Sequence, residues 1–463
     1  MLRLYDTARR RVEPLEPREP GVVSMYVCGP TVYDVPHIGH GRSALAYDVL
    51  RRYLEFTGVS VRHISNITDI DDKIIARAAA ESRSSEEVAA QFEASWWQAV
   101  DALGVRRPSA APRATEYVAD MVQLVSRLVE AGRAYETSDG VYLSVESVDG
   151  YGLLAHQSLD SLRSGARVEV AEEKRSPLDF ALWKKAKPGE PTWDSPWGPG
   201  RPGWHTECVV MSLDLLGEDF DLHGGGIDLA FPHHENERAQ ALALGRTFAR
   251  HWMHNGHVMA GADKMSKSLG NFMNTAELVG RADPRAYRLL VLRAHYRSQF
   301  EVTDATLADA GEALARLDAL ARRFDLDPSL ADVTADRAVD AGADADALEQ
   351  FRSRMDDDLD TPGAVSLLFD LVRSAHGAQD AGRHDPARRA AVTVAVLCGA
   401  MGLRLRAGGA AVDDATAALA AERDRARAAR QWAVADELRR RLESDGWVVE
   451  DTPSGTALHR RVD

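Results

Sequence analysis

From Met25 to Ile64 the chain reads as strand, loop, helix and strand, and that order leaves few folds open. Met25–Cys28 is a short apolar run ended by Gly29-Pro30. A helical period follows, with Leu45, Val49, Leu50, Tyr53 and Leu54 on one face; Thr57-Gly58 breaks it, and Val59–Ile64 alternates. Thr68-Asp69 is then expected to cap a further helix. A βαβ unit favours a parallel, doubly wound sheet, whose ligands bind beyond the carboxyl ends of the strands. Cys28 and the stretch His37–His40 are expected at such an end.

Residues 105–201 carry short strand-like pieces such as Gly140–Ser144, with Pro- and Trp-rich turns between Lys187 and Gly203, and read as an insertion into the sheet. The sheet pattern resumes at Trp204. From Leu307, apolar residues recur at spacings of three and four (Ala310, Leu314, Leu317, Ala321, Phe324), the mark of a helix packing in a bundle. The expected architecture is therefore α/β. A Rossmann-type doubly wound parallel sheet over 1–305, with its insertion at about 105–201, precedes an α-helical bundle over 306–408 and a small mixed C-terminal domain over 409–463. That last unit reads as one helix from Asp413 to Leu442 followed by a β-hairpin around Asp451–Gly455.

Bulk properties exclude several classes. No apolar run approaches the ~20 residues of a membrane helix, and the basic N-terminus has no apolar stretch behind it, so a cytoplasmic protein is expected. Three cysteines are too few for a disulfide framework; metal binding or burial suits them better, and Cys398 reads as core. A net charge of −15 argues against wholesale coating by nucleic acid, which draws its strength from Lys and Arg. The tail is the local exception, with nine arginines against seven acidic residues between Arg423 and Arg461.

Three motifs carry chemistry. Pro36-His37-Ile38-Gly39-His40-Gly41 opens the first helix, placing two imidazoles on one face at the positive end of the helix dipole, with a glycine between them that lets a phosphate or base approach. Alone, that spacing also describes two unrelated surface histidines. Lys264-Met265-Ser266-Lys267-Ser268 sets two lysines among hydroxyls in a Gly-bounded loop, suited to offsetting charge on a leaving pyrophosphate, or simply to solvent. Together and in this order the two resemble the signature pair of class I aminoacyl-tRNA synthetases. The third constellation joins Cys28, Cys208 in Trp204–Cys208, and Phe231–Glu237, which opens a helix behind its proline. His233 and Glu237, four apart, share a helix face as a metal requires; two thiolates, an imidazole and a carboxylate would make a tetrahedral zinc site. His234 with Glu237 is a less favoured choice, and His233 with His234 is disfavoured because adjacent side chains diverge.

The whole set, Cys28–Asp34, Asn66–Lys73, Gly203–Cys208, His223–Asp228 and Pro232–Glu237, resembles the cysteinyl-tRNA synthetases over nearly the full chain. The resemblance implies Cys28, Cys208, His233 and Glu237 as ligands of one Zn²⁺ that binds the substrate thiol. It implies Thr31, Thr68, Trp204 and Asp228 as contacts to the substrate amino and carboxyl groups. Lys267 is the implied ATP contact; His37, Gly39 and His40 form the rest of the ATP site, and His37, His40, Lys264 and Lys267 are the implied catalytic groups. The implied activity is ATP-dependent activation of L-cysteine, with Mg²⁺ on the nucleotide, and transfer to the 3′ end of tRNA(Cys) by a monomer. The zinc has a physical rationale: apolar walls separate near-isosteres by only ~1–3 kcal/mol, whereas zinc deprotonates a thiol and leaves an alcohol protonated. A ligase joining activated cysteine to an amino sugar would share the zinc and nucleotide motifs but not the unit at 409–463. A zinc hydrolase would need His-Glu-x-x-His, which the chain lacks. A non-catalytic zinc and RNA-binding module would need neither signature.

Overall fold

The computed structural model describes residues 1–158, 161, 173–260, 263–264, 273–407, 414–452 and 455–460. Its centre is a sheet of four parallel strands, β1 (Val22–Val27), β2 (Ser60–Ile64), β3 (Leu222–Gly226) and β4 (His251–Asn255), in the spatial order β4-β3-β1-β2. Five of the six residues of β1 are buried, the continuous burial of a strand covered on both faces. Helix α1 (Ile38–Phe56) crosses from β1 to β2 and seals Val49, Leu50, Tyr53 and Leu54 against the sheet, while Leu45 packs in a neighbouring cluster with Leu103, Val258 and Tyr287. The chain leaves β1 towards β2 but later returns to its other side as β3. Strand order therefore reverses between β1 and β3, and a crevice opens beyond their carboxyl ends.

Strand β3 is Leu-His-Gly-Gly-Gly, a sequence with little intrinsic strand preference. Tyr47 of α1 explains the glycine at 224: a Cβ there would lie 2.4 Å from the ring. The Tyr47 hydroxyl accepts from the Gly225 N–H at 2.6 Å and reaches the Met253 carbonyl at 2.7 Å, tying α1 to β3 and β4.

Between β2 and β3 lie helices Asp72–Glu81, Ser85–Ala102 and Val118–Glu130, then an antiparallel sheet of Ala134–Glu136, Gly140–Leu143, Phe180–Lys185 and Gly200–Pro202, paired in sequence order. The cap expected at Thr68-Asp69 falls instead at Asp71, whose carboxylate accepts from the Lys73 N–H at 2.8 Å. Helix α2 (Trp204–Leu216) leads into β3, and helix α3 (Glu235–Ala243) into β4. Four longer helices follow, Asp304–Arg323, Ala345–Asp356, Thr361–Asp380 and His384–Ala400. They share one apolar core with the α1 face of the sheet, in which Cys398 is fully buried.

At the C-terminus the structure corrects the single helix expected from Asp413 to Leu442; Asp413 itself lies outside the described residues. Two helices, Asp414–Ala428 and Trp432–Ser444, meet at Arg430, whose φ of 58° ends the first. The reversal brings Leu442 and Ala420 onto Trp447, Val449 and Leu458 of the hairpin Trp447–Thr452/Gly455–Arg460. Alanine and arginine carry no local stop signal, so packing decides the break. Among the described residues, no helix is long and apolar enough to cross a membrane.

Candidate active site

The crevice collects the side chains that the sequence scatters over 210 positions, from Cys28 to Glu237. Cys28 follows β1, its N–H bonded to the Gly224 carbonyl of β3 at 3.0 Å. Cys208 projects from the second turn of α2 and is 1% exposed. His233 precedes α3 and Glu237 lies in its first turn; both are buried. The four donor atoms lie within 4.8 Å of one another. Cys28 Sγ is 3.6 Å from Cys208 Sγ and 3.4 Å from Glu237 Oε1, Cys208 Sγ is 3.7 Å from His233 Nε2, and His233 Nε2 is 2.9 Å from Glu237 Oε1. A tetrahedron with zinc-like bond lengths has edges of about 3.8 Å between sulfurs, 3.5 Å between sulfur and N or O, and 3.3 Å between N and O. The three contacts involving sulfur match; the imidazole–carboxylate contact is shorter because it is a hydrogen-bonded ion pair. The residues thus fit a metal without rearrangement of their elements.

Electrostatics point the same way. Burial pushes the Cys28 thiol well above its ordinary range, and the neighbouring Cys208 and Glu237 add to the effect. Burial also opposes ionisation of Cys208, but hydrogen bonds with Cys28 and His233 overcome it and bring this thiol down to about 6. His233 is desolvated too, yet Glu237 and Cys208 lift it to about 10. Despite burial, Glu237 is held well below the usual carboxylate range by His223 and His233. One thiolate and one carboxylate beside an imidazolium form a charge pattern that a bound cation would complete, releasing the imidazole proton as it did so.

The adjacent histidines fall in different candidate donor groups. His234 is buried beside His233, with Nε2 3.3 Å from Cys28 Sγ, and Cys28, His223, His234 and Glu237 form a second group meeting the same distance limit. The Cys28/Cys208/His233/Glu237 set offers two sulfurs and suits a soft metal better. In the second group His223 Nε2 is bonded to Glu237 Oε2 at 2.6 Å, and His234 Nδ1 to His254 Nε2 at 2.8 Å. Roles for His223, His254 and also His205, whose Nδ1 is 2.9 Å from His233 Nδ1, have no counterpart among the sequence expectations, whereas His234 appears there as a less favoured ligand. Their signal was only an unusual density of histidine around Glu237.

A cavity of about 360 Å³ opens from Cys28 along the crevice, lined by Thr31, His37, Gly39, His40, Trp204, Asp228 and Gly256–Val258, among others. Trp204 stacks on His233 with ring centres 4.0 Å apart. The rings of His37 and His40 stack at 3.7 Å, and the His37 N–H donates to His40 Nδ1 at 3.2 Å. Thr68 is placed differently. It is 1% exposed, its hydroxyl donates to Glu207 at 2.8 Å, and its backbone bridges Thr31, so it props the wall behind the cavity. Lys264 ends the strand Asp263–Lys264, which pairs with Val258–Ala260 beyond β4. Lys267 lies outside the described residues.

Residues 14–312 match the family model of the tRNA synthetases class I (C) catalytic domain, and residues 350–406 match the DALR domain. The cysteine–tRNA ligase of Pectobacterium carotovorum is 44% identical over 475 residues, and that of Shewanella woodyi 42% over 474, each alignment covering 100% of both chains. Among solved structures, Mycobacterium tuberculosis methionyl-tRNA synthetase in complex with methionyl-adenylate aligns with a TM-score of 0.58 at 18% identity, over 82% of this chain and 89% of that one. The ternary complex of Agrobacterium radiobacter K84 LeuRS with tRNA and LeuAMS aligns with a TM-score of 0.59 at 11% identity, over 84% and 85%. These two share the fold.

Proposed function

This chain belongs to the class I cysteinyl-tRNA synthetase family, and on that premise we propose that it activates L-cysteine with Mg-ATP and transfers the cysteinyl group to the 3′ end of tRNA(Cys). The observation that carries the reading is the convergence of Cys28, Cys208, His233 and Glu237 at the switch point of the sheet, with Cys28 lining the cavity that also holds His37 and His40. Those four side chains would hold one zinc ion, which supplies a soft Lewis-acid centre that takes the substrate as thiolate and leaves a hydroxyl weakly bound.

Everything else is positioning and charge. Thr31, Trp204 and Asp228 line the cavity where the substrate amino and carboxyl groups would lie, with Thr68 holding Thr31 from behind. The carboxylate attacks the α-phosphate in line, and pyrophosphate leaves. His37 and His40 at the N-terminus of α1, and Lys264 and Lys267, meet the charge that develops there. A ribose hydroxyl of the tRNA then attacks the carbonyl of the adenylate, and AMP departs. No side-chain nucleophile is needed; orientation supplies most of the rate. In this reading 1–305 form the catalytic domain, 306–408 a helical domain and 409–463 an anticodon-binding-like domain of a cytoplasmic monomer.

The test is charging of tRNA with labelled cysteine, beside serine and after chelation of metal. Cysteine-specific charging lost on chelation is expected. Transfer to an amino sugar in place of tRNA, or equal use of serine, refutes the reading.

A further inference from the structure

Arg42, two residues past the second signature histidine, is 1% exposed and faces no carboxylate among the described residues. Its guanidinium donates instead to backbone carbonyls: His257 at 2.5 Å, Tyr296 at 3.1 Å, His295 at 3.4 Å, and Ser298. Phe300 lies under it with its ring centre 4.5 Å away. Burying a cation without a counter-ion is costly and is sustained only by full hydrogen bonding. What Arg42 holds together is therefore informative: α1, the His257 end of β4, and the segment 295–298.

The same segment is gripped from the opposite side. Asp358, in the turn between helices Ala345–Asp356 and Thr361–Asp380, is 5% exposed and has a φ of 57°. Its carboxylate accepts from the Tyr296 hydroxyl at 2.6 Å, from Arg297 Nε at 2.9 Å and from the Tyr5 N–H at 2.8 Å, and its carbonyl hydrogen-bonds His295 at 2.8 Å. Segment 295–298 in turn sets the cavity wall. The Gly256 N–H donates to the Tyr296 carbonyl at 2.9 Å, and a Cβ on Gly256 would sit 2.6 and 2.7 Å from the carbonyl oxygens of Arg297 and Ser298. Gly256, His257 and Val258 line the cavity, and Val258–Ala260 pairs with the strand that ends at Lys264.

We propose that Asp358 is a positioning residue for the nucleotide side of the cavity: from the helical domain it fixes segment 295–298, against which Arg42 clamps the Gly256–Val258 wall. The proposal rests on the synthetase reading above. The four metal-side donors, just after β1, in α2 and at 233 and 237, have one another as partners, and among the described residues none hydrogen-bonds Arg42, Asp358 or segment 295–298. The strut therefore acts first on ATP and, among the described residues, reaches the cysteine side only through His257, whose Nδ1 lies 3.9 Å from Asp228. The helical domain becomes a part of the active site that its position in sequence conceals.

The experiment is cysteine-dependent ATP–pyrophosphate exchange on the full chain, with KM measured separately for ATP and for cysteine. Asp358→Asn keeps an acceptor for Tyr5 and Tyr296 but removes the charge that orders Arg297. It is expected to raise KM for ATP about tenfold, as loss of one charge-assisted hydrogen bond would, and to leave KM for cysteine within twofold. A role in folding alone would lower the active fraction and so kcat, moving neither KM. Tyr296→Phe removes a single hydroxyl and should shift KM for ATP in the same direction by less, which keeps the test open if Asp358→Asn fails to fold. Because both residues act on one wall, combining Asp358→Asn with Arg42→Lys should raise KM for ATP by less than the product of the two single effects. An unchanged KM for ATP, equal shifts for ATP and cysteine, or a fully multiplicative double variant overturns the proposal. Absence of exchange in the unaltered protein would instead overturn the synthetase reading.

Discussion

Replacing Cys208 by serine tests the proposed metal apart from the rest of the pocket with the smallest change in shape. The side chain is 1% exposed and lies between Cys28 and His233, at 3.6 and 3.7 Å. A hydroxyl there stays protonated under conditions in which the thiol, brought down to about 6, is ionised, so one of the two sulfur donors is lost with its charge. A zinc-dependent preference of about 10⁴ for cysteine over serine corresponds to ~5.5 kcal/mol. The apolar and aromatic surroundings left behind, chiefly Trp204 stacked on His233, separate the two by only ~1–3 kcal/mol. The difference, about 2.5–4.5 kcal/mol, predicts that Cys208→Ser lowers the cysteine-over-serine ratio of kcat/KM by roughly 10²–10³-fold. The assay is pyrophosphate exchange with each amino acid, beside metal content by atomic absorption and a thermal melt. Metal should fall well below one per chain while the fold survives, because the change removes one sulfur from a core that otherwise keeps its shape. A variant that loses its metal and still discriminates as before would refute the reasoning, since selectivity would then reside in the walls.

Three further outcomes follow from the geometry. A Cβ at position 29 would lie 1.7 Å from the Asn66 carbonyl oxygen, so Gly29→Ala should displace Cys28; lower soluble yield and lower metal content per folded chain check this. His40→Ala should reduce exchange turnover by ~10²-fold or more, as loss of a charge-stabilising group does, with metal content unchanged by atomic absorption. Arg288→Met strands buried Asp48, which loses its 2.6 Å partner but keeps Arg52 at 2.7 Å and the Arg106 N–H at 2.9 Å. The cost should therefore fall near the low end of the range for breaking a buried pair, about 3 kcal/mol, read by urea unfolding at neutral pH. Asp48 also sets a pH dependence. Burial alone would raise its pKa, but Arg288 and Arg52 hold it below the unfolded value of ~3.9. Its contribution is thus present above about pH 4 and lost as pH falls through the folded pKa, so the gap between the variant and the unaltered protein should narrow in acid.

Some of this protein was legible in one dimension because local pattern and tertiary role coincide. The apolar run of β1, the period of α1 and the recurrence from Leu307 each describe an element whose burial matches its own sequence. Cysteines beside Gly-Pro and Trp-His could be paired with His233 and Glu237 because a soft metal admits few donor sets. Tertiary structure alone decided the rest. Leu-His-Gly-Gly-Gly has little strand preference of its own and becomes the inner strand β3 by pairing with β1 and β4, with Tyr47 leaving room only for glycine at 224. His223 reaches Glu237 from β3 and His234 reaches Cys28 from the turn before α3, contacts between separate elements that no spacing rule anticipates. Arg430 ends a helix that its alanines and arginines would continue, since the hairpin core requires the reversal. Spacing along a chain records which side chains share an element; which elements share a space is set by burial and by hydrogen bonds made only after the chain has closed on itself.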